Sequence, residues 1–191
     1  MKTCLALLCL ALAACNTTSA MRDAQPAPSP DAGEAKVIVY RTATFGGASH
    51  FPVYDDVGPG GKLIGFTETG CYFEYLCPPG RHLFFTWGEG EAFIDADLAP
   101  GRTYFIRAWS RFGIISPRPA FAPVERGSKE WERLEALLPT LQCRELDSCQ
   151  VASIEDRQQE IVLRVKSSYA AGQAKSLSPS DGWEELALPA K

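Results

Sequence analysis

Two histidines and the carboxylates near them are the first places to look for reaction chemistry in this chain of 191 residues. His50 precedes Asp55 and Asp56 by a few positions, and His82 follows Pro79 and Gly80 in a turn-like stretch. An imidazole beside a carboxylate can serve general acid-base catalysis, provided the fold closes both into one pocket. No local motif demands it: HExxH spacing, the G-x-S-x-G elbow and the S-x-x-K pair are all absent. The stretch GPGGKLIG (58–65) mimics a phosphate loop, but Asp56 stands where that loop needs glycine and Leu63 where it needs serine or threonine. It reads as a hairpin turn. Both histidines are therefore expected to hydrogen-bond at the surface or in turns, with no catalytic residue, no metal and no cofactor. A hydrolase whose site is assembled in space from His50, Asp55 and Asp56 is the alternative.

The cysteines carry more information. Lys2 and the apolar run CLALLCLALAA (4–14) have the make-up of a secretion signal peptide, and a run that short cannot span a bilayer, which takes about 20 residues. The run ends Leu12, Ala13, Ala14, Cys15. That series resembles the lipobox of bacterial lipoproteins. The resemblance implies cleavage between Ala14 and Cys15, acylation of Cys15 by lipid chains such as palmitate, and a membrane anchor. A plain secreted protein with a cysteine there by chance is the competing reading. Two or three acyl chains, at about 0.8 kcal/mol per buried methylene, would make the attachment effectively permanent. Asn16 in the second mature position, by resemblance to the sorting rule of enteric lipoproteins, implies the outer membrane, facing the periplasm.

With Cys4 and Cys9 lost and Cys15 lipidated, Cys71, Cys77, Cys143 and Cys149 remain, an even number suited to an oxidising compartment. Cys143 and Cys149 flank RELDS (144–148), and a bond between them would close a short ring worth about 2 kcal/mol. This is the expected disulfide. Cys71 and Cys77 have the same spacing, but on one extended strand their Cα atoms would stand about 20 Å apart, against less than about 7 Å for a bond. They stay unassigned, both pointing to one face.

Removing residues 1–14 takes away one lysine, so the formal charge goes from −4 to −5. The 19 basic and 23 acidic side chains are spread along the chain, which leaves no electrostatic footprint for nucleic acid. A hydrophobic content of 46% is enough to bury a core. From 16 to 35 the sequence is small, polar and proline-rich, and reads as a flexible tether with a reach of about 66 Å when extended.

β-Branched and aromatic runs then alternate with Gly and Pro breaks: VIVYR (37–41), HFPVYDD (50–56), KLIGFT (62–67), CYFEYL (71–76), RHLFFTW (81–87), EAFIDADL (91–98), RTYFIRAWSRF (102–112) and FAPV (121–124). Alternation of Ile94, Ala96 and Leu98 with Phe93, Asp95 and Asp97 predicts strands packed on one face only. Trp87, Tyr104 and Trp109 read as core and cross-strand packing rather than as a ligand groove. After Val124 the period becomes helical. Trp131, Leu134, Leu137, Leu138 and Leu141 form one stripe, begun by Ser128 and limited by Pro139. Ile154, Ile161, Val162, Val165 and Tyr169 form another, with Ser153 and Asp156 as a capping box and Gly172 as a stop. Both helices are expected to pack on the sheet, with a stripe offered to a partner as the alternative.

VIVYR, GFTETGCYFEYLCPPGRH (65–82) and LAPGRTYFIR (98–107) together resemble, in order and spacing, a domain family of unknown function found in bacterial lipoproteins, of prealbumin or PEGA-like character. The likeness rests on Pro79, Gly80 and His82 in one turn, and on Pro100, Gly101, Thr103, Tyr104, Phe105 and Arg107 in a later turn and strand. It implies a compact β-sandwich and brings no catalytic residues. The expectation is a mainly β protein: an antiparallel sandwich of about seven or eight strands over 36–125, two helices over 126–172 and a loose tail over 173–191. Its partners would be membrane lipid through Cys15 and an envelope protein, with the folded part acting as a binding or structural module.

Overall fold

The computed structural model describes residues 20–43, 45–169 and 174–183. The signal, the Ala14/Cys15 cleavage site, Asn16 and positions 184–191 lie outside them. Among the described residues eleven strands form two sheets. In the first, β1 (Met21–Asp23), β10 (Gln142–Leu146), β5 (Cys71–Cys77), β2 (Ala35–Arg41), β8 (Thr103–Arg111) and β9 (Arg118–Pro123) lie in that order. In the second the order is β11 (Lys175–Leu177), β7 (Glu91–Leu98), β6 (Gly80–Trp87), β3 (Phe51–Asp55) and β4 (Lys62–Thr67). Helix α1 (Lys129–Leu137), continued by a 3-10 turn (Leu138–Thr140), precedes β10, and helix α2 (Ser148–Ser168) follows it.

The protein is mainly β with two C-terminal helices, but the sheets are mixed rather than antiparallel. β2 runs parallel to β8, β10 to β5, and β11 to β7. Hairpins account for the antiparallel pairs β3/β4, β6/β7 and β8/β9, whereas β1/β10, β2/β5 and β3/β6 join strands that are not consecutive in the chain. β8 runs parallel to β2 after the chain has crossed to the second sheet as β3 and β4, returned as β5 and crossed again as β6 and β7.

Strands are buried on both faces, contrary to the one-sided expectation. A central cluster takes Val37, Phe73 and Ile106 from the first sheet together with Val53, Phe84 and Ile94 from the second. On its other face the first sheet buries Ile38, Tyr40 and Phe105 under Leu134, Leu138 and Trp131 of the α1 segment. The second sheet buries Tyr54, Phe85 and Phe93 under Ile154, Val162 and Val165 of α2. Each helix thus covers a sheet with its apolar stripe. Ser128 caps α1 by accepting from Trp131 N, as its position predicts, whereas α2 starts at Asp147, ahead of the expected Ser153 box.

The described part of the proline-rich segment is folded. β1 pairs antiparallel with β10, Met21 is buried, and Ala27 N donates to Glu74 Oε2 at 2.7 Å. Lys36 ties the same segment down: its buried Nζ donates to Ala27 O at 2.7 Å and pairs with Glu74 at 3.3 Å. In the tail, Trp183 exchanges backbone hydrogen bonds with Thr103 and stacks on Trp131 at 3.8 Å.

Candidate functional site

The β8/β9 hairpin ends at the Arg111 and Arg118 pair, so residues 112–117, FGIISP, form its tip. Phe112, Ile114 and Ile115 are 83%, 89% and 93% exposed. Apolar side chains so exposed gain nothing from the fold and are the usual mark of a surface that meets something else. The tip is nevertheless held in place. Glu89, in the turn between β6 and β7, accepts hydrogen bonds from the backbone N–H of Ile114, Ile115 and Ser116 at 2.5 to 2.6 Å. It also takes Arg118 at 3.0 Å. These amides hold the Glu89 carboxyl down at a pKa of about 2. Gly113 has no substitute here, since a Cβ would come within 1.9 Å of Ser116 O.

A second loop supports the tip. Phe45, 40% exposed, rests its ring on Phe112 at 4.1 Å. Its loop is organised by Arg41 at the end of β2, a fully buried guanidinium whose Nη2 donates to Phe45 O, Gly46 O and Ser110 Oγ and whose Nη1 donates to Ser49 O and Thr67 O. Burial lowers the Arg41 pKa from its ordinary value.

Behind the tip, Arg107, Trp109 and Arg111 alternate along β8 on the face that α1 covers only as far as Phe105 and Arg107. The Trp109 ring is approached by three cations, Arg107 at 5.6 Å, Arg111 at 5.7 Å and Lys175 of β11 at 5.2 Å. Arg107 pairs with Glu130 of α1 at 3.4 Å. Arg111 and Lys175 line a cleft of about 270 Å³ with Glu91, Phe93 and Phe121. Burial, and then the charge of Arg111, push the Lys175 pKa down. Trp109 is thus a platform for cations, unlike Trp87 and Tyr104, which are buried as packing residues.

The proposed hydrolase residues do not converge. His50 faces Glu68 at 3.7 Å, Asp56 pairs with Lys166 of α2, and Asp55 takes His82. Asp55 is fully buried at the end of β3. Its Oδ2 accepts from Tyr75 OH at 3.0 Å and from His82 Nδ1 at 2.8 Å, while His82 Nε2 donates to Pro78 O at 2.9 Å. Both nitrogen partners are acceptors, so the ring holds two protons and no lone pair for base catalysis. The hydrogen bond to Asp55 raises the His82 pKa against the opposing effect of burial. His82 is therefore a buried ion-pair residue that pins the CPPGR turn, not a surface one.

All four described cysteines are free. The expected bond between Cys143 and Cys149 is not formed. Cys143 lies inside strand β10, buried with Tyr72 and Leu141, whereas Cys149 is exposed in the first turn of α2. Extended chain from 143 to 146 separates them, as it separates Cys71 and Cys77 at the ends of β5. Burial pushes the Cys77 thiol up to about 12. A cleft of about 560 Å³ lies between the N-terminal segment and the 3-10 turn, lined by Asp23, Gln25, Tyr72, Pro139 and Gln142. Two of its polar groups satisfy each other: Gln142 Nε2 donates to Asp23 Oδ1 at 2.7 Å.

No protein-family model, curated protein or solved structure matches this chain. The tip itself is missed when the sequence is divided into strands, because it falls between the runs ending at 112 and starting at 121. A signal was present: FGIIS puts three large apolar residues in a turn, where polar ones belong.

Proposed function

We propose that this protein is a lipid-anchored lipoprotein of the bacterial cell envelope, acylated at Cys15, whose folded part is a non-enzymatic binding module that docks through the 112–117 tip. The observation that carries the docking element is the pairing of high exposure at Phe112, Ile114 and Ile115 with a backbone fixed by Glu89. A rigid apolar prong loses little conformational freedom on binding and so keeps more of the gain from burial. The anchor is supported by the Leu12 to Cys15 series, and delivery to the outer membrane by Asn16. The shared central cluster supports arranging the two mixed sheets as a β-sandwich of prealbumin or PEGA-like character, with α1 and α2 on its outer faces. Disengaged partners around Asp55, His50 and Asp56 speak against a hydrolase.

Two measurements test the proposal. Cys15→Ser should move the protein out of the membrane fraction; retention there would refute the anchor. In a Cys149→Ser background, Ile115→Cys should react with a thiol reagent much more slowly in isolated envelopes than in the purified protein, while Leu163→Cys on exposed α2 reacts equally in both. Equal rates at position 115 would refute docking through the tip.

A further inference from the structure

Arg111 and Lys175 converge on Trp109 immediately behind the exposed tip, and among the described residues neither forms an ion pair. Two exposed cations sharing one aromatic ring repel each other, and an anion placed between them would relieve that repulsion. Glu91 lines the same cleft and hydrogen-bonds Ser168 instead. At the tip ahead of them the amides of Ile114, Ile115 and Ser116 are already taken by Glu89, and the side chains of Phe112, Ile114 and Ile115 are what it exposes most.

We infer, resting on the reading of the tip as the docking element, that the tip enters an anionic bilayer surface: Phe112, Ile114 and Ile115 pass into the acyl boundary while Arg111 and Lys175, on Trp109, take lipid phosphates. Apolar residues ahead of a basic and aromatic belt are the arrangement that interfacial insertion requires. A protein groove that reads backbone donors would find the three amides of Ile114, Ile115 and Ser116 already taken by Glu89. The topology sets the geometry of the contact. β1 and β9 are the opposite edges of the first sheet, β1 and β8 point the same way, and Asp23 sits at the level of Ile106 by way of Arg144, Phe73 and Val39, which puts Met21, two residues earlier, level with Tyr104. The start of β1 and the end of β8 therefore lie diagonally across the sheet, about 30 Å apart from strand spacing and rise. Cys15 lies five residues before Ala20, a reach of about 17 Å. Anchor and tip together would lay that diagonal along the membrane.

The test uses the full-length lipidated chain carrying a photoreactive benzophenone residue at position 115 or, separately, at 163. It is reconstituted in vesicles of phosphatidylethanolamine with phosphatidylglycerol, and in vesicles of phosphatidylcholine alone. Lipid adducts are expected from position 115 in the anionic vesicles and not from 163. Arg111→Gln with Lys175→Gln should weaken the contact about 30-fold, from about 1 kcal/mol for each cation near an anionic surface. Absence of lipid adducts at 115 in anionic vesicles, or equal yields in both vesicle types, would overturn the inference. A protein adduct at 115 in cells without a lipid adduct would assign the tip to a protein and leave the docking reading standing; no adduct of either kind would remove both.

Discussion

Replacing His82 with phenylalanine should unfold the protein at a markedly lower temperature, and the size of the effect follows from what is left behind. The Asp55 carboxylate is fully buried, with His82 and Tyr75 both on Oδ2 and no partner on Oδ1. Phenylalanine keeps the ring packed on Phe84, now stacked at 5.7 Å, but removes the cation. Breaking one side of a buried ion pair costs about 3 to 5 kcal/mol. At this chain length that lowers Tm by about 6 to 20 °C. Adding Asp55→Asn removes the stranded charge and should recover part of the loss, so the two changes are far from additive. The sign of the pH dependence is fixed as well. A histidine whose folded pKa is raised contributes stability that is complete below its unfolded value of about 6.5 and is lost as pH rises through the folded value. Thermal melts followed by circular dichroism should therefore show the natural chain losing stability as pH rises above about 6.5, and His82→Phe lacking that slope. A loss under about 1 kcal/mol, or the same slope in both proteins, would refute the buried ion pair.

Other outcomes follow from single contacts. Glu89, held near pKa 2, stabilises the tip above its unfolded value of about 4.5 and ceases to do so as pH falls toward 2; protection of the Ile114, Ile115 and Ser116 amides against exchange, relative to the intrinsic rate at each pH, should fall over that window and be absent at every pH in Glu89→Gln. Gly113→Ala should distort the tip, read as loss of those same protected amides with little change in Tm. Arg41→Met leaves five acceptors without their donor and should cost about 3 kcal/mol or more, because each unsatisfied buried group carries a penalty of about 1 to 3 kcal/mol. Among Cys71, Cys77, Cys143 and Cys149, a maleimide should label Cys149 in the folded protein and leave Cys77 and Cys143 untouched, and non-reducing peptide maps should show no link between Cys143 and Cys149.

Local patterning carried most of the strands. KLIGFT and EAFIDADL coincide with β4 and β7, because Gly-rich breaks and β-branched runs act within a few residues. β10 was hidden, since QCREL is polar and short and becomes a strand only between β1 and β5. Parallel pairing of β2 with β8 depends on the path of the chain through the other sheet, which no local window contains. The polar positions of β7 suggested a wet face, yet α2 buries Phe93 there and keeps Asp95 near Tyr169. In the sequence His82 belongs to a turn and Asp55 neighbours His50; only the pairing of β3 with β6 brings Asp55 opposite Phe84, within reach of His82. The tip carries a weaker signal for a different reason, because Gly and Pro mark a turn whatever apolar residues lie between them.

In-cell photocrosslinking from position 115 of the full-length chain, with position 163 as the control, tests docking through the tip most directly. An abundant adduct is expected from 115, lost when Glu89→Gln frees the tip, and none from 163. A membrane-bound, folded protein that yields no adduct from 115, or equal adducts from both positions, would contradict it.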